Sequence, residues 1–162
     1  MKKNIIIQLL IILTLPHFNY SYSKDLKVID GDTIKINNKI IRFGGIDAPE
    51  SYYRGKKQKC ILDKKIIYCG DISKKKLEEK ISDNKVTCIN EKNKNIYNRI
   101  IAECFIGKES LSKYMVRSGY AFDYKQYSKG KYSDDEIYAK KNNNGMWKMK
   151  FDYPWIWRKN NK

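Results

Sequence analysis

Four cysteines, Cys60, Cys69, Cys88 and Cys104, constrain this chain more than any other feature. They follow a segment with the order of a secretory signal. Lys2 and Lys3 are basic, Ile5 to Leu15 is apolar but for Gln8 and Thr14, and Pro16 precedes the small residues Ser21 and Ser23 around Tyr22. An even cysteine count behind an export signal reads as two disulfides, drawn from three connectivities. The spacing favours Cys60–Cys69 and Cys88–Cys104. The runs Lys85–Ile89 and Arg99–Cys104 are strand-like, and a turn centred near Ile96 sets Cys88 opposite Cys104. A zinc site competes poorly, because no Cys-x-x-Cys pair is present.

The expected division is a signal peptide, 1–23, followed by one domain, 24–162. The apolar run is short for a permanent membrane span, so an exported protein, periplasmic or secreted, is expected, with an uncleaved N-terminal anchor as the lesser reading. Removing the signal removes His17, the only histidine. That excludes histidine phosphotransfer, His–Cys zinc sites and Ser-His-Asp hydrolysis. The net charge is +16, and +14 without Lys2 and Lys3. So basic a domain attracts polyanions, although abundant lysine serves solubility equally, so charge alone assigns no partner. A cationic membrane toxin is disfavoured for want of a long amphipathic basic helix.

Leu26 to Asp30 and Thr33 to Ile36 read as strands, and Ile40 to Gly44 as the strand returning from an Asn37-Asn38 turn. That turn makes Ile36 face Lys39 and Thr33 face Arg42, which sets Arg42 beside Asp30-Gly31-Asp32. Lys56 to Tyr68 carries no clear pattern. Helices are expected over Asp71 to Ile81, over Ser110 to Ser118, and from a Ser133-Asp134-Asp135-Glu136 capping box to about Asn144, closed by Gly145. Trp147, Phe151, Trp155 and Trp157 are expected to pack the tail onto the core. The sum is α+β: a small barrel with about three peripheral helices.

Asp30 and Asp32 stand two apart around Gly31 in an extended run, so their side chains are expected to share a face. Asp47 and Glu50 flank the Ala48-Pro49 turn. Carboxylates gathered this way repel unless a cation joins them, and hard oxygen donors select Ca²⁺ or Mg²⁺.

Together, Ile29-Asp30-Gly31-Asp32-Thr33, Arg42, Gly45-Ile46-Asp47-Ala48-Pro49-Glu50 and Tyr97-Asn98-Arg99 resemble the thermonuclease (staphylococcal nuclease-like) family. The likeness continues through Met115 to Ala121, Gly145-Met146-Trp147 and Pro154-Trp155-Ile156-Trp157-Arg158, and is closest to the secreted bacterial branch with extra cysteines. It implies a five-stranded OB-fold-type β-barrel and a calcium-dependent, sugar-nonspecific nuclease leaving 3′-phosphate ends on DNA and RNA. Asp32, Asp47 and the Ala48 carbonyl correspond to calcium ligands, with Asp30 acting through water. Glu50 corresponds to the residue that orients or deprotonates the attacking water. Arg42 and Arg99 correspond to the arginines that grip the phosphate. Tyr124 and Tyr127 fall near tyrosines that flank the nucleotide. Asn98 stands where glycine is common. Single-stranded substrates, a monomer and no obligate protein partner are expected. The alternative is a catalytically silent barrel that binds single-stranded nucleic acid.

Overall fold

The computed structural model describes residues 19–20, 25–96 and 99–162. The expected signal segment, apart from Asn19–Tyr20, lies outside the described residues, as do His17, the Ser21–Ser23 site and Tyr97-Asn98. The main sheet has seven strands among the described residues, two of them short, Asn19–Tyr20 and Glu109–Ser110; the five long ones are β1 (Leu26–Asp30), β2 (Thr33–Ile36), β3 (Lys39–Phe43), β4 (Val86–Ile96) and β5 (Arg99–Ile106). Their order is β4-β5-β3-β2-β1. β3 and β5 run parallel, and the other neighbours antiparallel. The chain is α+β, with its strands in the order of an OB-fold-type barrel. Asn19–Tyr20 pairs with Ile89 and Cys88 on the outer edge of β4.

Local chemistry sets the register. Asn37 and Asn38 adopt φ of 48° and 64°, the left-handed pair that a tight two-residue hairpin requires and asparagine tolerates. Ile36 therefore pairs with Lys39, and Thr33 with Arg42, as expected. Alternation then buries Ile34, Ile36, Ile41 and Phe43 inside the barrel with Val86, Ala102 and Leu77. Parallel pairing of β3 with β5 needs a long crossover, and the crossover carries α1 (Cys69–Ile81).

The expected helices are present, with two short additions. α2 (Leu111–Arg117) is capped by the Ser110 hydroxyl, which accepts from Lys113 N at 3.0 Å. α3 (Lys125–Ser128) and α5 (Pro154–Asn160) are the additions. α4 (Ser133–Lys141) corrects one expectation: no capping box forms. The Ser133 hydroxyl donates to Asp123 Oδ2 at 2.8 Å, and Glu136 accepts from Asp123 N at 3.0 Å. Both side chains tie α4 to the neighbouring strand instead. The helix also stops at Lys141, and Gly145 opens a 3₁₀ turn, Gly145–Lys148. The segment without a clear pattern contains a hairpin, Lys59–Leu62 with Lys65–Tyr68, turned by Asp63 and Lys64 at φ of 49° and 65°.

Both disulfides join the favoured pairs, Cys60–Cys69 and Cys88–Cys104. Cys88 lies opposite Cys104 in the ladder, but the turn is not at Ile96. The register shifts between Asn90 and Asn95, and Ile96 pairs with Arg99. Cys60–Cys69 anchors a second cluster, in which Phe122 lies within 5.5 Å (centroid to centroid) of Trp147, Phe151 and Tyr153. The aromatic tail thus packs onto the core, as expected.

Each buried disulfide closes a short loop, and closing such a loop restricts the unfolded chain by about 3 kcal/mol. Replacing Cys88 and Cys104 together by alanine should lower the melting temperature on the order of 10 °C, read by thermal circular dichroism. Equal melting temperatures with and without reductant in the wild-type protein would contradict the pairing.

Candidate active site

The β2–β3 register brings Arg42 against Asp32. Asp32 is not in an extended run with Asp30, as the sequence suggests. The register shifts between Val28 and Asp30, and the chain turns at Gly31 and Asp32. The turn sits tightly against α1: a Cβ on Gly31 would lie 1.9 Å from Ser73 Oγ and 2.9 Å from Ala48 Cβ. Glycine is required there by close approach. The Asp32 carboxylate is buried and fully engaged. Oδ2 accepts from Ala48 N at 2.7 Å, and Oδ1 accepts from Thr33 Oγ1 at 2.9 Å and from Arg42.

Asp47 is buried too, on a two-residue strand, Ile46–Asp47, that pairs with Phe122–Asp123. Arg42 Nη2 donates to Asp47 Oδ1 at 2.6 Å. One guanidinium therefore bridges the two expected metal carboxylates.

Glu50 is fixed by its backbone. Its N donates to Gln58 Oε1 at 3.1 Å, and its carbonyl accepts from Gln58 N at 3.0 Å. Gln58 is fully buried, and its Nε2 donates to the Asp152 carbonyl at 2.7 Å. α1 presses on the same backbone, because a Cβ on Gly70 would lie 2.0 Å from the Glu50 carbonyl oxygen. Sequence reasoning did not single out Gln58, which no local pattern marks.

Arg158 of α5, which the sequence marks only as part of the Pro154–Arg158 tail motif, enters the site. Its Nη2 donates to Asp47 Oδ2 at 2.7 Å. Its Nη1 donates to Asp47 Oδ1 at 3.1 Å and also to Glu50 Oε1. These partners lie more than 100 residues away in sequence, beyond the reach of any spacing rule.

A cleft of about 610 Å³ opens over this network. Asp30, Arg42, Glu50 and Arg99 line it, with Tyr124, Tyr127 and Arg158. Arg99 and Ile101 pair with Ile40 and Arg42 across β5 and β3, and all four face the cleft. Two-residue periodicity explains that shared face. Tyr124 stacks flat on Trp155 at 4.9 Å, while Tyr127 leans edge-on against Tyr124 and stays 52% exposed. Asp32 and Asp47 lie beneath the floor rather than on it, at 1% and 0% exposure.

The carboxylates strain against one another. Burial, then the charges of Asp32 and Glu50, push Asp30 up to about 8. Burial raises Asp47 although Arg42 opposes the shift, and burial and Asp32 raise Glu50. Four carboxylates meet two contacting guanidiniums, and Asp30 accepts from the amides of Gly31 and Ser51. Among the described residues no group of three or more His, Cys, Asp and Glu is arranged to hold a metal ion. The all-oxygen donor set and its excess negative charge nevertheless suit a hard divalent cation.

A carboxyl whose folded pKa is raised gives most stability below its unfolded pKa, near 4, and loses it as pH rises through the folded value. In chelator, the wild-type melting temperature should fall between pH 5.5 and 8, and Asp30→Asn should flatten that fall. Identical slopes in thermal denaturation would contradict the account of Asp30.

A family model described as "Staphylococcal nuclease homologue" matches residues 40–149. A succinoglycan biosynthesis protein, ExoI, of Rhizobium meliloti is 32% identical over 124 residues, covering 75% of this chain and 62% of that protein. A protein described as an uncharacterized endonuclease of Haemophilus influenzae is 32% identical over 133 residues, covering 75% of this chain and 64% of that protein. The chain thus spans less than two thirds of the length of these curated relatives. With the matched stretch running from β3 through the 3₁₀ turn, the chain belongs to the staphylococcal nuclease homologue family.

Proposed function

We propose that this chain is an exported, calcium-dependent nuclease that hydrolyses phosphodiester bonds of DNA and RNA, prefers single strands, and acts as a monomer without an obligate protein partner. One observation carries the reading: Arg42 and Arg99 line the same cleft as Asp30 and Glu50, with Asp32 and Asp47 directly behind Arg42. The name of the Haemophilus relative, an endonuclease, points the same way. The net charge of +16 favours a polyanionic substrate. Two disulfides suit an oxidising compartment, and no helix among the described residues is long and apolar enough to cross a membrane.

A phosphodiester seated between Arg42 and Arg99 meets two planar guanidinium forks, whose donor geometry matches phosphate oxygens. Charge builds on its oxygens as water attacks phosphorus, and preorganised guanidiniums stabilise that charge more than the ground state. Glu50, held by Gln58, orients the water or takes its proton. The bond to the 5′ oxygen breaks, leaving a 3′-phosphate and a 5′-hydroxyl. Asp32, Asp47 and the Ala48 carbonyl would hold the calcium ion, with Asp30 acting through water, and the ion would supply positive charge to stabilise the developing negative charge. Tyr127, half exposed on the cleft wall, offers a face for a base, with Tyr124 behind it.

The silent binding barrel draws on a single observation: arginines already satisfy Asp32 and Asp47. Digestion of a labelled single-stranded oligonucleotide separates the two readings. Cleavage should need Ca²⁺ and stop in chelator, and Arg99→Ala or Glu50→Ala should each lower kcat on the order of 10²–10³-fold. Arg99 is the cleaner arginine to test, because removing Arg42 strips two buried carboxylates of a partner. Binding without cleavage would favour the silent barrel. The affinity for single-stranded DNA should also fall steeply as salt rises from 50 to 200 mM, a standard range for counterion release. Salt-independent binding in a fluorescence anisotropy titration would contradict a backbone-directed contact.

A further inference from the structure

Arg158 lies in α5, beyond the stretch 40–149 that the family model matches, and the mechanism above gives it no task. Its guanidinium is aimed at the two carboxylates that differ most in proposed role. Nη2 and Nη1 hold both oxygens of Asp47, at 2.7 and 3.1 Å, and Nη1 also donates to Glu50 Oε1. An arginine that merely closed α5 would turn to the last carbonyls of its own helix. Arg158 instead lines the cleft, with its side chain 23% exposed.

The surrounding contacts fix where α5 stands. Gln58, whose N and Oε1 clamp the Glu50 backbone, donates through Nε2 to the Asp152 carbonyl at 2.7 Å. Ile61 and Lys150 exchange two backbone hydrogen bonds at 2.9 Å. The Trp157 ring meets Tyr53 edge-on at 6.1 Å. The C-terminal segment is thus docked on both sides of Gln58, through Tyr53 before it and Ile61 after it.

We propose that Arg158 is a positioning residue of the nuclease site, holding the Glu50 carboxylate alongside Asp47 so that it faces the attacked phosphate. The assignment rests on the nuclease reading. Two carboxylates side by side, Asp47 buried and Glu50 half-buried at the cleft, repel, and each is then drawn towards any other cation in reach. A planar fork between them neutralises the repulsion and fixes direction as well as charge, which a lysine ammonium does only in part. Arg158 bonds the Glu50 carboxylate directly, and its task is assigned through that contact. A misplaced water-directing group lowers kcat, while substrate grip remains with Arg42 and Arg99.

The test uses the full chain, a labelled single-stranded oligonucleotide and Ca²⁺, with Arg158→Gln and Arg158→Lys beside the wild type. Arg158→Gln should lower kcat on the order of 10²-fold, with KM within about threefold. Arg158→Lys should recover about tenfold of that loss, because it restores charge without the fork. An unchanged kcat in Arg158→Gln overturns the assignment. So does a loss confined to KM, which would make Arg158 a phosphate contact. A loss that tracks a lowered melting temperature equally in both variants would make it structural and also overturns it. A wild type that fails to cleave with Ca²⁺ overturns the nuclease reading itself, and this assignment with it.

Discussion

The Arg42 guanidinium, set between the buried carboxylates of Asp32 and Asp47, is the interaction on which the site depends. Neither acid sits there stably without a cation, since a buried charge left unpaired destabilises a protein by about 3–5 kcal/mol. The Asn37-Asn38 turn delivers Arg42 to that place by fixing the β2–β3 register. The Gly31-Asp32 turn, tucked under Ser73 and Ala48, delivers Asp32. The short Ile46–Asp47 strand, paired with Phe122–Asp123, delivers Asp47. Three separate local devices converge on one charge cluster, and a slip of one residue in the β2–β3 hairpin would turn Arg42 to the opposite face.

Around this cluster the second apolar core acts as a brace. Cys60–Cys69 ends one residue before Gly70, which lies against the Glu50 backbone. Phe122, caged by Trp147, Phe151 and Tyr153, sits in the strand that pairs with Asp47. Trp155 stacks between Tyr124 on the cleft wall and Tyr153 in the cage. The aromatic tail therefore links core packing to the position of α5 and of Arg158. Preorganisation of this kind holds charged groups ready before substrate arrives.

What the sequence made legible was whatever local chemistry decides. Asparagine pairs tolerate positive φ, so the β2–β3 hairpin and its register could be read residue by residue. Cysteine spacing placed Cys88 opposite Cys104. Where long-range contacts outweighed local preference, the reading failed. Ser133 and Glu136 have the capping-box pattern but bond to Asp123 instead. Asp63 and Lys64 form the same left-handed turn as Asn37 and Asn38 without the residues that advertise it. Asp30 and Asp32 converge through a turn and not through a shared strand face. The site residues Asp32, Arg42, Asp47, Glu50 and Arg99 were named from short motifs, and the fold gathers them at one cleft or just beneath it. Gln58 and Arg158 were not named, because their partners are set by tertiary packing alone.

The central claim is that this cleft hydrolyses a phosphodiester at the bond to the 5′ oxygen. Mass spectrometry of a single-stranded oligonucleotide digested with Ca²⁺ tests it most directly. The account predicts fragments ending in 3′-phosphate and beginning with 5′-hydroxyl, absent when a chelator replaces the metal. Fragments carrying 5′-phosphate, or an intact oligonucleotide in the presence of Ca²⁺, would contradict it.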